Sequence, residues 1–260
     1  MEIALTFVIY TVALVGVSLL GAYMPYVKKL TDKEIHLLIA MSAGIFLGIL
    51  FFLLLPEAMH ECEEGNVEHT YMMMTVLGGF LAILLVDVLI KHFHMTGCPC
   101  ECHEDQHRHR ISSLSAFIGL SVHAFVDGLV LATGLLADSN IGWLALAGMC
   151  VHKFVVLFSL SSSFLLTEED KRSIMRYLIS FSLITPIGAL VSFIALNGVT
   201  VDGMVGLPLA FSAGTFMYVS LCDMIPEAFH RKNQDLRAFV SLMIGIGIAA
   251  AVFILLGHGH

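Results

Sequence analysis

Eight apolar segments, each about twenty residues long or a little longer, follow one another along this chain. A helix of that length crosses a hydrocarbon core about 30 Å thick, because it rises about 1.5 Å per residue. Strands of a membrane barrel would be about half as long and would alternate in polarity, so we predict helices. The chain is 58% hydrophobic and only 13% charged, which predicts an all-α membrane protein instead of a soluble domain. The predicted spans are 3–23, 35–55, 70–90, 112–136, 142–166, 174–196, 206–227 and 238–256.

The basic residues predict how these spans are oriented. All but one of the 13 Lys and Arg residues flank the connections after the first, third, fifth and seventh spans, and the exception is Lys153 inside the fifth span. The positive-inside rule makes this basic side cytosolic and places both termini on the extracellular or lumenal side. We call that opposite side the acidic side, because its first connection carries Glu57, Glu61, Glu63, Glu64 and Glu68. Short connections predict a single transmembrane domain over residues 1–260.

The sequence contains two pairs of inverted repeats. Residues 42–61, SAGIFLGILFFLLLPEAMHE, align without gaps with residues 212–231, SAGTFMYVSLCDMIPEAFHR. A shorter pair is VHAFV at 122–126 and VHKFV at 151–155. In each pair one copy lies in an even-numbered span and the other in an odd-numbered span, so the copies enter the membrane from opposite sides. Inverted repeats are typical of secondary transporters, whose substrate site lies near the middle of the membrane.

Three polar side chains in the middle spans are candidate metal ligands. His123 and Asp127 are four residues apart and share one helical face, and His152 lies near the midpoint of the next span. Two imidazoles and a carboxylate suit zinc and leave a fourth position open. The alternative is a polar network that only joins two helices. The sequence leaves several roles open for Lys153. Its charge could repel a second metal ion or pair with Asp127, or its side chain could extend toward the membrane interface or face Glu57 or Asp223.

These residues resemble a known family. The motif HAFVDG at 123–128 and the pair HK at 152–153 resemble the signature helices of the ZIP (Zrt/Irt-like protein) family of metal transporters. The segments LLLPEAMH and FSAGTFMYV and the final GHGH resemble the branch that contains the family's ninth human member. The resemblance covers nearly the whole chain.

The resemblance implies a fold, a direction of transport and a ligand set. The fold is eight helices in a 3+2+3 inverted-repeat arrangement, often moving as an elevator and often dimeric. The activity is uptake of zinc toward the cytosol, with His123, Asp127 and His152 as metal ligands. Ala124 and Val156 replace residues that hold a second metal ion in some members, so we expect one ion at the site.

Two further groups of residues are candidates for accessory roles. A His- and Cys-rich loop over 91–111 is interpreted as a cytosolic metal acceptor or sensor, and a disordered polar linker is the alternative. Its candidate ligands are His92, His94, Cys98, Cys100, Cys102, His103, His107 and His109. Repeat-related Pro-Glu segments predict gates on the metal pathway, although each Glu could instead only cap its helix. The candidate pathway residues are Glu57, His60, Asp223, Glu227 and His230.

The predicted function is transport of divalent metal ions, zinc first, with Fe²⁺, Mn²⁺ and Cd²⁺ as alternative substrates. We expect no catalytic cofactor and no enzymatic activity; the rival hypotheses are a zinc-dependent intramembrane hydrolase and a membrane receptor. Basic residues are few and scattered, so nucleic acid is not an expected partner. The expected partners are the metal ion, the lipid bilayer and a second copy in a homodimer. The plasma membrane and the Golgi or secretory-pathway membranes are the expected locations.

Overall fold

The computed structural model describes residues 2–27, 31–95, 104–137, 139–165, 170–196, 205–229 and 235–256. These residues are almost entirely helical and contain no strand. The described helices are α1 (Glu2–Tyr23), α2 (Asp32–Ile49), α3 (Leu55–Glu64), α4 (His69–Met95), α5 (Glu104–Ala137), α6 (Ser139–Phe164), α7 (Lys171–Leu196), α8 (Gly206–Tyr218), α9 (Ile225–Ala228) and α10 (Asp235–Leu256).

Six helical stretches are long and apolar enough to cross a membrane, and shorter apolar stretches occupy the middle of α5 and α6. The prediction of an all-α membrane protein with eight helical spans is therefore confirmed. The helices on either side of the His- and Cys-rich loop are longer than the predicted spans, because α4 extends to Met95 and α5 begins at Glu104.

The second and seventh spans each contain a π-helical segment before a proline. Leu50–Leu54 joins α2 to α3, and Val219–Met224 joins α8 to α9. Pro56 and Pro226 are the second residues of the helices that follow. Proline has no N–H to donate to the preceding turn, and a π-helical turn accommodates that interruption within a continuous rod. The repeat seen in the sequence is thus also a repeat of backbone conformation.

The helices form two bundles. The first bundle contains α1, α5, α6 and α7, and the second contains α2–α4 and α8–α10. The main packing partners are α1 with α6 and α5 with α7 in the first bundle, and α2 with α10 and α4 with α8 in the second. The inverted repeat relates α1 to α7, α2 to α8, α4 to α10 and α5 to α6. Under this exchange the pair of α1 with α6 becomes the pair of α7 with α5, and the pair of α2 with α10 becomes the pair of α8 with α4. The 3+2+3 inverted repeat is therefore present in the packing.

Glycines at related positions allow these helices to approach closely. A side chain at Gly44 in α2 would collide with the carbonyl of Leu242 in α10, and one at Gly214 in α8 would collide with the carbonyl of Val76 in α4. Gly44 and Gly214 are the same position of the SAG repeat. Lipid is as apolar as Leu, so membrane helices associate largely through such close packing at small residues.

Aromatic rings mark the axis that relates the two halves. Phe46 of α2 and Phe216 of α8 are equivalent positions of the repeat, and both are fully buried. Their rings stack with centroids 4.6 Å apart. Two equivalent residues can contact each other only beside the pseudo-two-fold axis, so that axis passes between these rings.

Candidate metal site

The predicted ligands are brought together where α5 and α6 meet α8. His123 and Asp127 are one turn apart on the same face of α5, and His152 comes from α6. All three are buried, with exposed fractions of 0%, 5% and 8%. His123 and His152 are equivalent positions of the short repeat, and their Nε2 atoms lie 3.0 Å apart. The cluster therefore lies on the same pseudo-two-fold axis as the phenylalanine pair.

The ligand atoms have the spacing of a zinc site. Nε2 of His123 lies 3.4 Å from Oδ1 of Asp127, and Nε2 of His152 lies 3.6 Å from Oδ2. A tetrahedral ion with ligands at about 2.0–2.1 Å holds adjacent ligand atoms about 3.3 Å apart. The three groups can thus contact one ion with little rearrangement. They are the one such group of His, Cys, Asp or Glu ligands found among the described residues.

Lys153 is part of this cluster. Its Nζ lies 2.6 Å from Oδ2 of Asp127, and its side chain is 3% exposed. The same Nζ is 5.7 Å from the ring centroid of Phe181 in α7. Of the arrangements left open by the sequence, the structure has the lysine paired with Asp127. One full positive charge therefore lies beside the candidate ligands and balances the carboxylate.

The orientation of the first histidine is fixed from the second bundle. Nδ1 of His123 lies 2.5 Å from Oγ of Ser212 in α8. The ring of Phe216 lies against His123, with centroids 4.6 Å apart. When Nδ1 carries the proton and donates to the serine, the lone pair of Nε2 is directed toward Asp127 and His152. Hydrogen bonds of this kind commonly orient metal-binding imidazoles.

A narrow cavity lies on the basic side of the cluster and has room for about one water molecule. Leu120 in its wall is one turn from His123, and Asp223 and Glu227 supply carboxylates. Oε1 of Glu227 lies 3.9 Å from Nε2 of His36 in α2. The other residues of the wall are Ile39, Ala116, Ser159, Leu160, Ser163, Val219 and Met224.

The candidate gate residues differ in their surroundings. Glu227 is 8% exposed and lines the cavity, whereas Glu57 is exposed. His60 lies 3.8 Å from Glu64 and is also exposed. His230 lies outside the described residues. The structure therefore places Asp223 and Glu227 in the wall of the cavity and leaves the other described candidates at the surface.

The structure describes only part of the candidate acceptor loop. Cys98, Cys100, Cys102 and His103 lie outside the described residues. His92 is exposed at the end of α4, His94 is in the same helix, and His107 and His109 are in α5.

Sequence reasoning missed three residues, two of which contact the site while the third lies beside Glu227 of the cavity wall. None of them belongs to a metal-binding motif; they are Ser212, Phe216 and His36. The repeat alignment did contain a signal for the first two, because Ser and Phe are identical in both copies. Identity at positions related by the axis could have indicated residues facing the centre.

Comparisons with known proteins relate the whole chain to one family. The family model described as ZIP Zinc transporter matches residues 3–107 and 99–253. Zinc transporter ZIP9-B of Xenopus laevis is 23% identical over 294 residues, covering 93% of this chain and 95% of that protein. Zinc transporter ZIP9 of Micropogonias undulatus is 23% identical, with 84% of each chain covered. Zinc transporter ZupT of Nitratidesulfovibrio vulgaris is 21% identical over 90% of this chain and 91% of its own length. The match to the family model spans nearly the whole chain, and this protein belongs to the ZIP zinc transporter family.

Proposed function

We propose that the protein carries divalent metal ions, zinc first, across a membrane toward the cytosol through one mid-membrane site. His123, Asp127 and His152 are the ligands of the transported ion. The observation that carries this proposal is the convergence of two imidazole nitrogens and the two oxygens of one carboxylate, with neighbouring atoms 3.0 to 3.6 Å apart, inside the helical bundle. Ionisable groups at membrane depth are costly, and a transported cation accounts for their presence there.

The charges at the site favour a single ion. Asp127 is the one carboxylate in the cluster, and Lys153 already pairs with it. A second divalent ion would add two positive charges beside that ammonium without adding a ligand. The same pairing weakens the attraction for the first ion, which suits a site that must release its substrate. Zinc fits the two-imidazole, one-carboxylate set best, and Fe²⁺, Mn²⁺ and Cd²⁺ are the further candidate substrates.

The cavity supports an exit toward the basic side. Its polar wall contains Asp223, Glu227 and Ser159. At the equivalent positions on the acidic side, the repeat has Leu53 for Asp223 and Val130 for Ser159, and only Glu227 has a carboxylate equivalent, Glu57. A hydrated cation leaving the cluster therefore finds two carboxylates of the repeat toward the basic side and one toward the acidic side. We therefore assign Glu227 and Asp223, with His230, to the exit, and Glu57 with His60 to the entrance.

Location and assembly follow from the same proposal. The basic connections make the cavity side cytosolic, with both termini on the other side. The six helices long and apolar enough to span a membrane fit a multi-pass protein of the plasma membrane or the secretory pathway, including the Golgi. A homodimer in the lipid bilayer is the proposed assembly. The His- and Cys-rich segment 91–111 serves as a cytosolic acceptor or sensor for the released metal.

The rival functions fit less well. A hydrolase keeps its metal and needs a general base beside a bound water. Here the carboxylate of the cluster is paired with Lys153, and the chain belongs to a transporter family, so it is a transporter and not an enzyme. A receptor would not need two inverted halves around a buried ligand set.

Zinc flux in liposomes containing only this protein tests the proposal. Asp127→Asn keeps the shape of the side chain and removes the charge, and we expect flux to fall at least about tenfold with folding preserved. His123→Ala and His152→Ala should lose flux similarly. The matched control is His69→Gln, because His69 is an exposed histidine away from the cluster. Undiminished flux in Asp127→Asn would overturn the site.

A further inference from the structure

Two equivalent serines differ in their hydrogen bonding to the two ligand histidines. Ser42 and Ser212 are the same position of the SAG repeat, as His123 and His152 are of the shorter repeat. Nδ1 of His123 lies 2.5 Å from Oγ of Ser212. Nδ1 of His152 and Oγ of Ser42 each lack a hydrogen-bond partner among the described residues. Both of these side chains are more than nine-tenths buried.

Two unpaired polar groups at this depth require an explanation. Buried polar atoms are nearly always hydrogen-bonded, because leaving one unpaired loses its interaction with water without a replacement. The two orphaned atoms here are the symmetry equivalents of the two atoms that do form a bond. They therefore occupy the positions that a second bond of the same kind would join.

The bond that is formed links the two bundles. His123 and His152 belong to the first bundle, and Ser42 and Ser212 belong to the second. In inverted-repeat transporters, alternating access is largely a rigid movement of one bundle against the other, and the two end states exchange the roles of the repeats. Exchange of roles here would separate His123 from Ser212 and bring His152 to Ser42.

The aromatic contacts have the same asymmetry. Phe216 lies 4.6 Å from the ring of His123 and 6.1 Å from that of His152. Its equivalent, Phe46, stacks on Phe216. The second bundle therefore has two similar faces beside the ligand pair, and one of them holds its histidine in this conformation.

We propose that Ser42 and Ser212 are alternating positioning residues, each of which binds one ligand histidine in one of the two access states. Ser212 holds His123 when the cavity opens to the basic side, and Ser42 holds His152 when the site faces the acidic side. The inference rests on the proposed transport function. It assigns a role to Ser42, whose hydroxyl has no hydrogen-bond partner among the described residues, and it gives the two serines opposite effects on the balance between the states.

Labelling of two reporter cysteines measures the balance between the states. The native cysteines are replaced by Ser, and an impermeant thiol reagent is applied to Ser159→Cys from the basic side and to Val130→Cys from the acidic side. Ser159 lines the cavity, and Val130 is its equivalent in the other half. Loss of one buried hydrogen bond changes an equilibrium about fivefold. The ratio of the rate at 159 to the rate at 130 should therefore fall about fivefold in Ser212→Ala and rise about fivefold in Ser42→Ala.

The matched control is Ser220→Ala. Ser220 is buried in the same span, but its hydroxyl donates to the carbonyl of Phe216, so the ratio should not change. An unchanged ratio in Ser42→Ala, or shifts of the same direction in both variants, would overturn the proposal. The labelling needs no metal, so its failure is distinguishable from a failure of zinc flux.

A second measurement does not depend on the alanine variants. In the pairs Ser42→Cys with His152→Cys and Ser212→Cys with His123→Cys, without the reporter cysteines, one Hg²⁺ per protein should protect both thiols from alkylation, because one ion bridges two thiols that meet. Each single-cysteine variant is the control, in which one Hg²⁺ protects one thiol. A 42/152 pair in which one Hg²⁺ per folded protein protects only one thiol would show that these positions do not meet, and would overturn the proposal.

Discussion

Nζ of Lys153 lies 2.6 Å from Oδ2 of Asp127, and both side chains are almost completely buried. The other oxygen of the carboxylate lies 3.4 Å from Nε2 of His123. One carboxylate thus faces both a resident ammonium and the candidate metal position. The repeat has Ala124 at the position of Lys153 and Val156 at the position of Asp127. The charge pair is therefore a local departure from the two-fold symmetry of the protein.

Replacing Lys153 by Met should tighten zinc binding and reduce stability without metal. Removing one partner of a buried ion pair leaves the other charge uncompensated, which typically costs about 3–5 kcal/mol. Zinc would then supply the missing positive charge, so its affinity should rise about tenfold or more. We expect a lower Tm without zinc and a larger increase in Tm on adding zinc than in the wild type. Lys153→Arg keeps the charge and should behave like the wild type; an unchanged zinc response in Lys153→Met would contradict the pairing.

The sequence predicted the helices and the meeting of His123, Asp127 and His152 because each depends on local or symmetric information. Apolar length marks the spans, and the spacing of His123 and Asp127 places them on one helical face. The repeat then relates His152 to His123. Helix ends were less well predicted, because hydrophobicity marks the limits of the bilayer and α4 and α5 continue beyond them.

Contacts between the two bundles could not be predicted. The pairing of His123 with Ser212 and the approach of His36 to Glu227 depend on how far one bundle is displaced along the other. The pattern of residues within a single helix gives no information about how far one bundle is displaced along the other. Lys153 illustrates the same limit, since its neighbours in sequence allowed several partners and the packing of α6 against α5 selects Asp127.

The His- and Cys-rich segment should bind metal without being required for transport. A deletion of the segment would shorten α4 and α5. Replacing Cys98, Cys100 and Cys102 together by Ser leaves both helices at full length. Thiolates are strong zinc ligands, so the amount of zinc bound at equilibrium should fall while liposome flux persists at an altered rate. Cys150→Ser with Cys222→Ser removes thiols elsewhere and should leave bound zinc unchanged. Complete loss of flux in the folded triple variant would show that the segment is part of the transport pathway.

Two adjacent glycines in α4 offer a sharp test of the helix packing. A methyl group at Gly79 would collide with the carbonyl of Phe211 in α8, whereas one at Gly78 would meet nothing within 4 Å. Overpacking of this kind typically costs about 1–3 kcal/mol. Gly79→Ala should therefore lower the Tm of the purified protein, and Gly78→Ala should leave it unchanged or raise it slightly through helix propensity. Equal Tm values for the two variants would contradict the close packing of α4 on α8.

Glu57 and Glu227 should be reachable from opposite sides of the membrane. They are the same residue of the repeat, each directly after a proline, and in the structure Glu57 is exposed while Glu227 is 8% exposed beside the cavity. In protein without other cysteines, Glu57→Cys should react rapidly with an impermeant reagent from the acidic side. Glu227→Cys should react from the basic side only, and more slowly because the approach to it is narrow. Zinc should slow the reaction at 227 because that position borders the exit, whereas His69→Cys, which is exposed on the acidic side and outside the assigned pathway, should react at the same rate with and without zinc. Reaction of both positions from one side would contradict the inverted orientation of the second and seventh spans, and with it the assignment of one glutamate to the entrance and the other to the exit.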